Sequence, residues 1–335
     1  MENVAIVGAG SWGTTLANLL AQKGVGRVRL WARSPGITEL IKKTRENVPY
    51  LPGVRLSGNL FATSSLQDAL KGASIAVCAV PSHGVREVFK EASRHISGGC
   101  LIVNASKGIE EKTLLTCSGI LREVLGDALN ARGIVVMSGP TFAKEVSRGL
   151  PAAACAASGS EKDARAVQDV FSTACFRVYT NPDPIGVELG GALKNVIAIA
   201  SGISDGLNLG ANARAALITR GLAEMARLGV RMKASPGTFY GLSGLGDLVL
   251  TSTGELSRNR MVGLEIGRGR GLKDILSGMN MVAEGVKTAM AVMELARRHC
   301  VEMPISEGVY KVLYDGKPPR EAVMELMTRG LKGEM

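Results

Sequence analysis

The sequence has few aromatic residues and no long apolar run. Phe, Trp and Tyr together make up 4% of its 335 residues. No run approaches the ~18–20 consecutive apolar residues that a membrane-spanning helix needs, so stable membrane insertion is not expected. A charged fraction of 21% and only 12 prolines argue against a disordered chain. These absences favour a globular protein, and the length is sufficient for two domains.

Cysteine and histidine are too dispersed to suggest a metal site. The six cysteines form no C-x-x-C pair, the three histidines are spread along the chain, and His299 beside Cys300 is the one adjacent histidine–cysteine pair. Most cysteines sit in apolar runs such as 75–80, which predicts reduced, buried side chains. The first residues contain neither a basic stretch nor a signal-like apolar segment. Both observations predict a cytoplasmic protein without a metal.

The net charge of +10 favours anionic partners. No long run of Lys and Arg is present, and the few aromatic residues give little support for a platform that stacks nucleic-acid bases. The sequence therefore favours small anionic metabolites over nucleic acid.

Hydrophobic periodicity divides the chain into two unlike halves. Residues 1–181 alternate short apolar strands with helices, which predicts a mostly parallel, doubly wound sheet covered on both faces. Two prolines, Pro182 and Pro184, interrupt this pattern. Residues 182–335 carry helical spacing with almost no strand signal, which predicts an all-α domain. The strands are expected at 4–7, 28–32, 75–80, 101–104, 134–137, 152–156 and 176–179. The helices are expected at 14–22, 85–95, 114–125, 163–171, 185–203, 212–229, 258–268, 282–299 and 304–314.

A glycine-rich fingerprint lies between the first strand and the first helix. Gly8, Gly10 and Gly13 form a G-x-G-x-x-G pattern that includes Ser11 and Trp12. This context is typical of the dinucleotide-binding turn of a Rossmann-type sheet, in which the helix N-terminus faces a pyrophosphate. A glycine-rich turn without a ligand is the alternative. Trp12 could either pack under the helix start or line the cofactor cleft.

The end of the second strand bears on the choice of cofactor. NAD-preferring sites usually carry an acidic residue there, which binds the ribose 2′-hydroxyl. This sequence has Arg33 and no acid, and a guanidinium can pair with a 2′-phosphate. The sequence predicts NADPH or NADH as cofactor, with NADP(H) preferred. A solvated surface arginine is the alternative.

Polar residues also follow two later strands. Lys107 follows one predicted strand, and Gly139 and Thr141 follow the next. The carboxyl ends of strands line the ligand crevice in such sheets, so these residues are candidates for contact with substrate or cofactor. A solvated lysine and a structural turn are the alternatives.

One lysine interrupts the most apolar helix. Lys194 is the only charged residue between Leu189 and Ala200. A buried lysine is costly unless it is paired or functional, and burial lowers the pKa of a lysine toward values useful for proton transfer. We therefore predict that Lys194 is catalytic, with a structural ion pair as the alternative. Glu188 is too far round the helix to be its partner, whereas Asp247 in the later glycine-rich stretch is a candidate.

A hydroxyl, a guanidinium and an amide follow one another at Ser257, Arg258 and Asn259. With Ser257 as N-cap of a helix, the cluster would bind an oxyanion. An ordinary capped surface helix is the alternative.

Taken together, these segments resemble the bacterial NAD(P)-dependent glycerol-3-phosphate dehydrogenases over nearly the whole chain. The stretches that carry the resemblance are VAIVGAGSWGTTLA, NASKGIE, GPTFAKEV, ELGGALKNVIAIASGI, GLSGLGDLVLT, SRNR and VAEGV. The resemblance implies a Rossmann-type domain, a helical domain and reversible reduction of dihydroxyacetone phosphate to sn-glycerol 3-phosphate, which supplies glycerophospholipid synthesis. It also implies a homodimer.

The resemblance assigns roles residue by residue. Lys194 matches the catalytic lysine of the family. Substrate contacts are implied for Lys107, Gly139, Thr141, Asp247, Ser257, Arg258 and Asn259, and Asn195 and Thr251 are expected in the polar network around them. Cofactor contacts are implied for Ser11, Trp12, Arg33, Lys107, Ala143, Arg258, Val282 and Glu284, beside the three fingerprint glycines.

Two other functions remain compatible with the sequence. A related β-hydroxy acid dehydrogenase can combine the same domain types with a helix lysine. A catalytically inactive NADPH-sensing protein would keep the fingerprint, but it would have no need for a buried charged pair at Lys194.

Overall fold

The computed structural model describes residues 2–126, 133–279, 282–331 and 333–334. The chain forms two compact units. The first unit comprises Met1–Lys107 and Leu115–Glu188, and the second comprises Gly108–Leu114 and Leu189–Met335. The sequence placed the division between residues 181 and 182. The compact units divide later because Val187, in the helix that follows the last strand, packs against Val136 and Ala157 of the sheet.

The first unit is built on an eight-stranded sheet. Its strands lie in the order β3-β2-β1-β4-β5-β6-β7-β8. The order reverses between β1 and β4, as in a doubly wound dinucleotide-binding sheet. All neighbouring strands are parallel except β6 and β7, so the predicted mostly parallel sheet is confirmed. The strands are β1 Asn3–Val7, β2 Arg27–Trp31, β3 Leu60–Thr63, β4 Ile75–Cys78, β5 Leu101–Asn104, β6 Ile134–Ser138, β7 Ala152–Ala157 and β8 Phe176–Asn181.

Helices cover both faces of this sheet. Alternate residues of β1 point to opposite faces, since Val4 and Ile6 join one apolar core whereas Ala5 and Val7 join the other. The helices are α1 Ser11–Lys23, α2 Pro35–Thr44, α3 Leu66–Leu70, α4 Val85–Ala92, α5 Cys117–Leu125, α6 Ala143–Val146 and α7 Glu161–Phe171. Helices α1 and α7 pack on the first core, and α4 and α5 on the second.

The second unit is helical, and no strand occurs in its described residues after Leu189. Its helices are α8 Pro184–Gly206, which begins in the first unit, α9 Gly210–Arg231, α10 Asp247–Thr253, α11 Arg258–Gly267, α12 Leu272–Ser277, α13 Glu284–Arg298, α14 Pro304–Tyr314 and α15 Pro319–Met327. A 3-10 segment, Pro236–Tyr240, and a π-helical turn, Leu242–Gly246, precede α10.

Helix α8 forms the centre of the second unit. It is the one described helix long and apolar enough to cross a membrane by length and composition, but 94% of its most apolar stretch is buried inside the protein. Such burial is typical of the core helix of a folded domain.

Some elements were missing from the sequence prediction. Strand β3 has only four residues, which are too few to show a strand pattern by themselves. The helices not predicted are α2, α3, α6, α10, α12 and α15, most of them short. The helix expected from Leu114 begins instead at Cys117, because Leu114 has a φ of 60° and Thr116 caps the helix.

The prediction of buried cysteines holds for four of the six. Cys78, Cys100, Cys117 and Cys155 are buried, and burial raises the pKa of the Cys78 thiol to about 12. Cys175 and Cys300 are exposed, because both lie in turns that follow helices. The prediction was wrong for these two residues.

Candidate active site

The glycine-rich turn leaves no room for side chains at two of its glycines. Gly8 has a φ of 122°, and a Cβ atom there would lie 2.5 Å from the carbonyl oxygen of Ala79. A Cβ atom on Gly13 would lie 1.9 Å from the carbonyl oxygen of Gly8, so the helix start packs directly on the turn. Nothing lies within 4 Å of the corresponding position at Gly10, so the backbone there is open to a ligand. This shape, with the N-terminus of α1 behind it, fits a dinucleotide pyrophosphate.

Neighbouring segments hold this turn in place. The buried Asn47 donates to the carbonyl oxygen of Ala9 over 2.9 Å and to the hydroxyl of Thr14 over 2.7 Å. Ser11 donates from its hydroxyl to the carbonyl oxygen of Tyr50. Asn47 carries no signal in the sequence, because it lies in an irregular segment far along the chain from the fingerprint.

Ala143 lies beside the same helix. The hydroxyl of Thr15 in α1 donates to the carbonyl oxygen of Ala143 over 3.2 Å. Helix α6, which begins at Ala143, is thereby fixed to the first turns of α1.

Arg33 and Trp12 have different surroundings. The Arg33 side chain is 68% exposed and lies 3.7 Å from the Glu87 carboxylate, so it can reach a ligand beyond the end of β2. Trp12 is half-buried, packs on the core of the sheet, and has its ring centre 6.3 Å from that of Phe176. These contacts favour the packing role for Trp12.

The loops after β5 and β6 meet at Gly139. Lys107 donates from Nζ to the carbonyl oxygen of Gly139 over 3.2 Å, and Thr141 donates from its hydroxyl to the same oxygen over 3.2 Å. The first unit therefore brings Lys107, Gly139 and Thr141 together at one edge of its sheet.

Lys194 lies in a buried polar cluster of the second unit. Its ammonium forms an ion pair with the Asp247 carboxylate and donates to the hydroxyl of Thr251 over 2.7 Å. Thr251 in turn donates to the carbonyl oxygen of Asp247 over 2.6 Å. The Lys194 side chain is 7% exposed and that of Asp247 is 2% exposed. The predicted burial of Lys194 and its pairing with Asp247 are confirmed.

The segment before α10 explains how Asp247 reaches this lysine. The π-helical turn Leu242–Gly246 ends immediately before Asp247, and such turns are frequent at functional sites. Gly190, one turn before Lys194 in α8, allows the close approach, since a Cβ atom there would lie 2.6 Å from the carbonyl oxygen of Ser243.

A second polar chain begins at the residue after Lys194. The side-chain oxygen of Asn195 accepts from the Asn259 amide over 2.8 Å. The Asn259 oxygen accepts from the backbone N–H of Gly285 over 2.9 Å. This chain joins α8, the start of α11 and the start of α13. Gly285 was not singled out by the sequence analysis, although it lies in one of the family-like stretches.

Ser257 caps α11 as predicted. Its hydroxyl accepts from the backbone N–H of Arg260, and the helix begins at Arg258. Burial lowers the pKa of the Arg258 guanidinium, and the nearby Glu284 carboxylate opposes that shift. Glu284 begins α13, and Val282 lies just before it and is half-buried. The second unit thus gathers its predicted residues on three helix starts and on α8.

No group of three or more His, Cys, Asp or Glu side chains suited to a metal ion occurs in the part of the chain that the structure describes.

Comparison with known proteins places these features in one family. The doubly wound sheet with its fingerprint turn defines a dinucleotide-binding oxidoreductase fold. Residues 3–164 match the model of the NAD-dependent glycerol-3-phosphate dehydrogenase N-terminus, and residues 183–324 match that of the C-terminus. The chain belongs to the NAD-dependent glycerol-3-phosphate dehydrogenase family.

Relatives match along the full length. A glycerol-3-phosphate dehydrogenase [NAD(P)+] of Geobacter sp. strain M21 is 56% identical and covers 99% of both chains. The enzyme of Geobacter sulfurreducens is also 56% identical over 99% of both chains. The crystal structure of the Coxiella burnetii enzyme is 40% identical, has a TM-score of 0.92, and matches over 98% of this chain and 99% of its own.

Proposed function

We propose that this enzyme reversibly reduces dihydroxyacetone phosphate to sn-glycerol 3-phosphate with NADPH or NADH, and that the product enters glycerophospholipid synthesis. The observation that carries the proposal is the buried Lys194–Asp247–Thr251 cluster, together with a fingerprint turn that fits a dinucleotide. Membership of the family supports both the reaction and the cofactor class.

The first unit would hold the nicotinamide cofactor. Gly8, Gly10 and Gly13 with the α1 N-terminus would hold the pyrophosphate, and Ser11, Trp12 and Ala143 lie beside them. Arg33 would pair with a 2′-phosphate, and this contact would favour NADPH over NADH. The family resemblance also implies cofactor contacts for Arg258, Val282 and Glu284. The bound reduced nicotinamide supplies the hydride that the ketone carbon accepts.

Substrate recognition depends on the phosphate group. Arg258 and Asn259 lie at the N-terminus of α11, where free backbone N–H groups add to the positive charge. The family resemblance also implies substrate contacts for Lys107, Gly139 and Thr141. Binding energy from the phosphate positions the reacting carbonyl, and this positioning accelerates the reaction.

Lys194 acts as proton donor. Negative charge develops on the carbonyl oxygen as hydride arrives, and the Lys194 ammonium stabilises that charge and delivers a proton from Nζ. Asp247 and Thr251 hold the ammonium in place, and the neighbouring Asn195 fixes Asn259. In the reverse direction Lys194 accepts the hydroxyl proton.

We also propose that the enzyme is a cytoplasmic homodimer, because the bacterial family that it resembles is of this kind. Light scattering of the purified protein measures the oligomeric state directly, and a monomeric mass would contradict the proposal.

The assay that tests the proposed function follows the absorbance of the reduced nicotinamide. Wild-type protein is mixed with dihydroxyacetone phosphate and, in separate runs, with NADPH or NADH. We expect turnover with both cofactors and a higher kcat/KM with NADPH. β-Keto acids, the oxidised form of β-hydroxy acids, serve as the comparison substrates. Faster turnover of a β-keto acid would favour a β-hydroxy acid dehydrogenase, and tight NADPH binding without any turnover would favour an inactive sensor.

A further inference from the structure

Glu188 is a buried carboxylate that the proposed mechanism does not use. It is 4% exposed, although glutamate is seldom buried without a role. Its Oε1 atom accepts from the backbone N–H of Ser118 over 2.7 Å and from the side-chain amide of Asn104 over 2.8 Å. Its Oε2 atom accepts from the Ser118 hydroxyl over 2.5 Å. Burial raises the pKa of this carboxyl, and the hydrogen bonds from Ser118 oppose that shift.

The bond to Asn104 connects Glu188 with the loop that carries Lys107. Asn104 is the last residue of β5. Its side chain also forms two hydrogen bonds with the backbone of Ser106. Its amide donates to the Ser106 carbonyl oxygen over 3.2 Å, and its oxygen accepts from the Ser106 N–H over 3.1 Å. The Ser106 hydroxyl donates to the carbonyl oxygen of Val80 over 2.6 Å. The turn between β5 and Lys107 is therefore fixed from several directions.

We propose that Glu188 is a positioning residue that holds the Asn104–Ser106 turn and thereby places the Lys107 ammonium at Gly139. The inference rests on the proposed function, in which Lys107 contacts the substrate. Without the carboxylate, the Asn104 amide loses an acceptor inside an apolar region and turns toward another partner. The turn then loses the hydrogen bond that ties Asn104 to Glu188, and Lys107 is held less firmly at Gly139.

The two carboxylate oxygens face different kinds of donor, which provides a conservative variant. Oε1 accepts from two N–H donors, whereas the Ser118 hydroxyl at Oε2 can reverse and accept. In Glu188→Gln, the amide oxygen can take the position of Oε1 and accept from the N–H donors. The NH2 group can take the position of Oε2 and donate to the Ser118 hydroxyl. Glu188→Met has similar length but accepts no hydrogen bond.

Glu224 offers a matched control. It is also buried, burial raises the pKa of its carboxyl, and it accepts from the backbone N–H groups of Ile305 and Ser306 and from the Ser306 hydroxyl. These bonds cap α14, which carries none of the proposed site residues. Glu224→Met therefore reproduces the loss of a buried, hydrogen-bonded carboxylate without disturbing Lys107.

The experiment measures KM for dihydroxyacetone phosphate and the rate at which acetic anhydride labels Lys107, with exposed Lys90 as reference. Glu188→Met is expected to raise KM about tenfold or more relative to Glu224→Met, because a displaced Lys107 ammonium would bind the substrate less well. Labelling of Lys107 should become faster, while Glu188→Gln restores both values. In a Lys107→Met background, Glu188→Met should add less than about twofold in KM, since its effect passes through Lys107.

Each outcome decides the proposal. Equal KM and equal Lys107 labelling in Glu188→Met and Glu224→Met would overturn it and leave Glu188 a purely structural residue. If wild type does not turn over triose phosphate, the proposed function fails, and Lys107 labelling alone decides the positioning role. If Glu188→Met does not fold, Asn104→Ala replaces it, because Glu188 then keeps its Ser118 partners. Unchanged Lys107 labelling in Asn104→Ala would overturn the proposal.

Discussion

At the scale of single residues, the buried Lys194 adds little to stability beyond what an apolar side chain would, although the proposed proton transfer requires it. Lys194 and Asp247 are both removed from water, and a buried ion pair often stabilises a protein no more than apolar side chains of the same size would. Removing one partner from such a pair typically costs about 3–5 kcal/mol of unfolding free energy. The proton that Lys194 is proposed to supply would explain why such a pair is present.

Arg258 is expected to bind the substrate phosphate. Arg258→Ala should raise KM for dihydroxyacetone phosphate strongly and weaken NADPH binding less. For the same reason, wild type should reduce unphosphorylated dihydroxyacetone very poorly. Steady-state kinetics on both substrates checks this, with the exposed Arg268→Ala as control. Equal efficiency on the two substrates in wild type would show that no phosphate clamp exists.

Arg33 is expected to select the cofactor. Arg33→Asp should weaken NADPH binding more than NADH binding, shifting the preference by about 2–4 kcal/mol, because a phosphate contact is lost and a repulsion is added. Fluorescence titration with each cofactor measures the shift, and Lys43→Asp on the exposed face of α2 controls for net charge. If Arg33→Asp affects both cofactors equally, Arg33 lies away from the 2′-phosphate.

At the scale of elements, the start of α11 combines a structural cap with a proposed binding role, and two substitutions separate them. Ser257→Ala removes the cap and should cost about 1 kcal/mol of unfolding free energy. Ser257→Asp keeps a good cap but adds a negative charge beside the proposed phosphate site. The unfolding free energy of Ser257→Asp should therefore stay near that of wild type, while its KM for dihydroxyacetone phosphate rises.

Thermal unfolding together with substrate kinetics distinguishes the two roles. If Ser257→Asp retains the wild-type KM, the α11 N-terminus does not bind the substrate phosphate.

The elements that sequence predicted well are those whose pattern is local. Strand β1 and helix α1 are marked by an apolar run and by glycines, and Ser257 was recognised as a cap before an apolar-periodic segment. Strand β3 was missed because its four residues take strand form through pairing with β2, which is a tertiary contact. The short helix α10 was missed because its seven residues span only about two turns, too few to show a helical period.

The residues of the candidate site also differ in whether a local sequence pattern predicts them. Lys194 could be identified because a charge in an apolar helix is visible in one segment. Asn47 and the role of Glu188 could not, because their partners Ala9 and Asn104 lie far away along the chain. The sequence pattern allows Glu188 to be tested only against Lys194 in the same helix, because Asn104 in β5 and Ser118 in α5 come near it only when the chain folds.

At the scale of the whole molecule, two buried carboxyls give the stability a recognisable pH dependence. Burial raises the pKa of Glu188 and Glu224 above the ordinary value of 4.5. A raised pKa means that the folded state binds protons more tightly than the unfolded state. The stability from this source is therefore complete below about pH 4.5 and is lost as pH rises through the folded-state pKa.

Glu224→Gln tests this dependence by urea unfolding across pH. The stability of wild type relative to Glu224→Gln should fall as pH rises from 4.5, because the amide does not titrate. Glu294→Gln is the control of opposite sign. Arg297 and Arg298 lower the pKa of Glu294 to about 2, so the relative stability of wild type should fall as pH decreases below 4.5. A pH-independent difference for Glu224→Gln would contradict this interpretation.

The central claim is that Lys194 supplies the proton when the enzyme reduces dihydroxyacetone phosphate. Two variants separate this role from stability. Lys194→Met keeps the length and apolar stem of the side chain but leaves Asp247 unpaired. The double variant Lys194→Met with Asp247→Asn removes both charges and so avoids an unpaired buried carboxylate.

The most direct measurement is the turnover number of Lys194→Met with dihydroxyacetone phosphate and NADPH, taken beside its NADPH dissociation constant. We predict a folded protein that binds NADPH as wild type does but turns over about 10²–10⁴ times more slowly, the usual contribution of general acid catalysis. The double variant should be equally slow. A folded Lys194→Met protein with near-normal turnover would contradict the account.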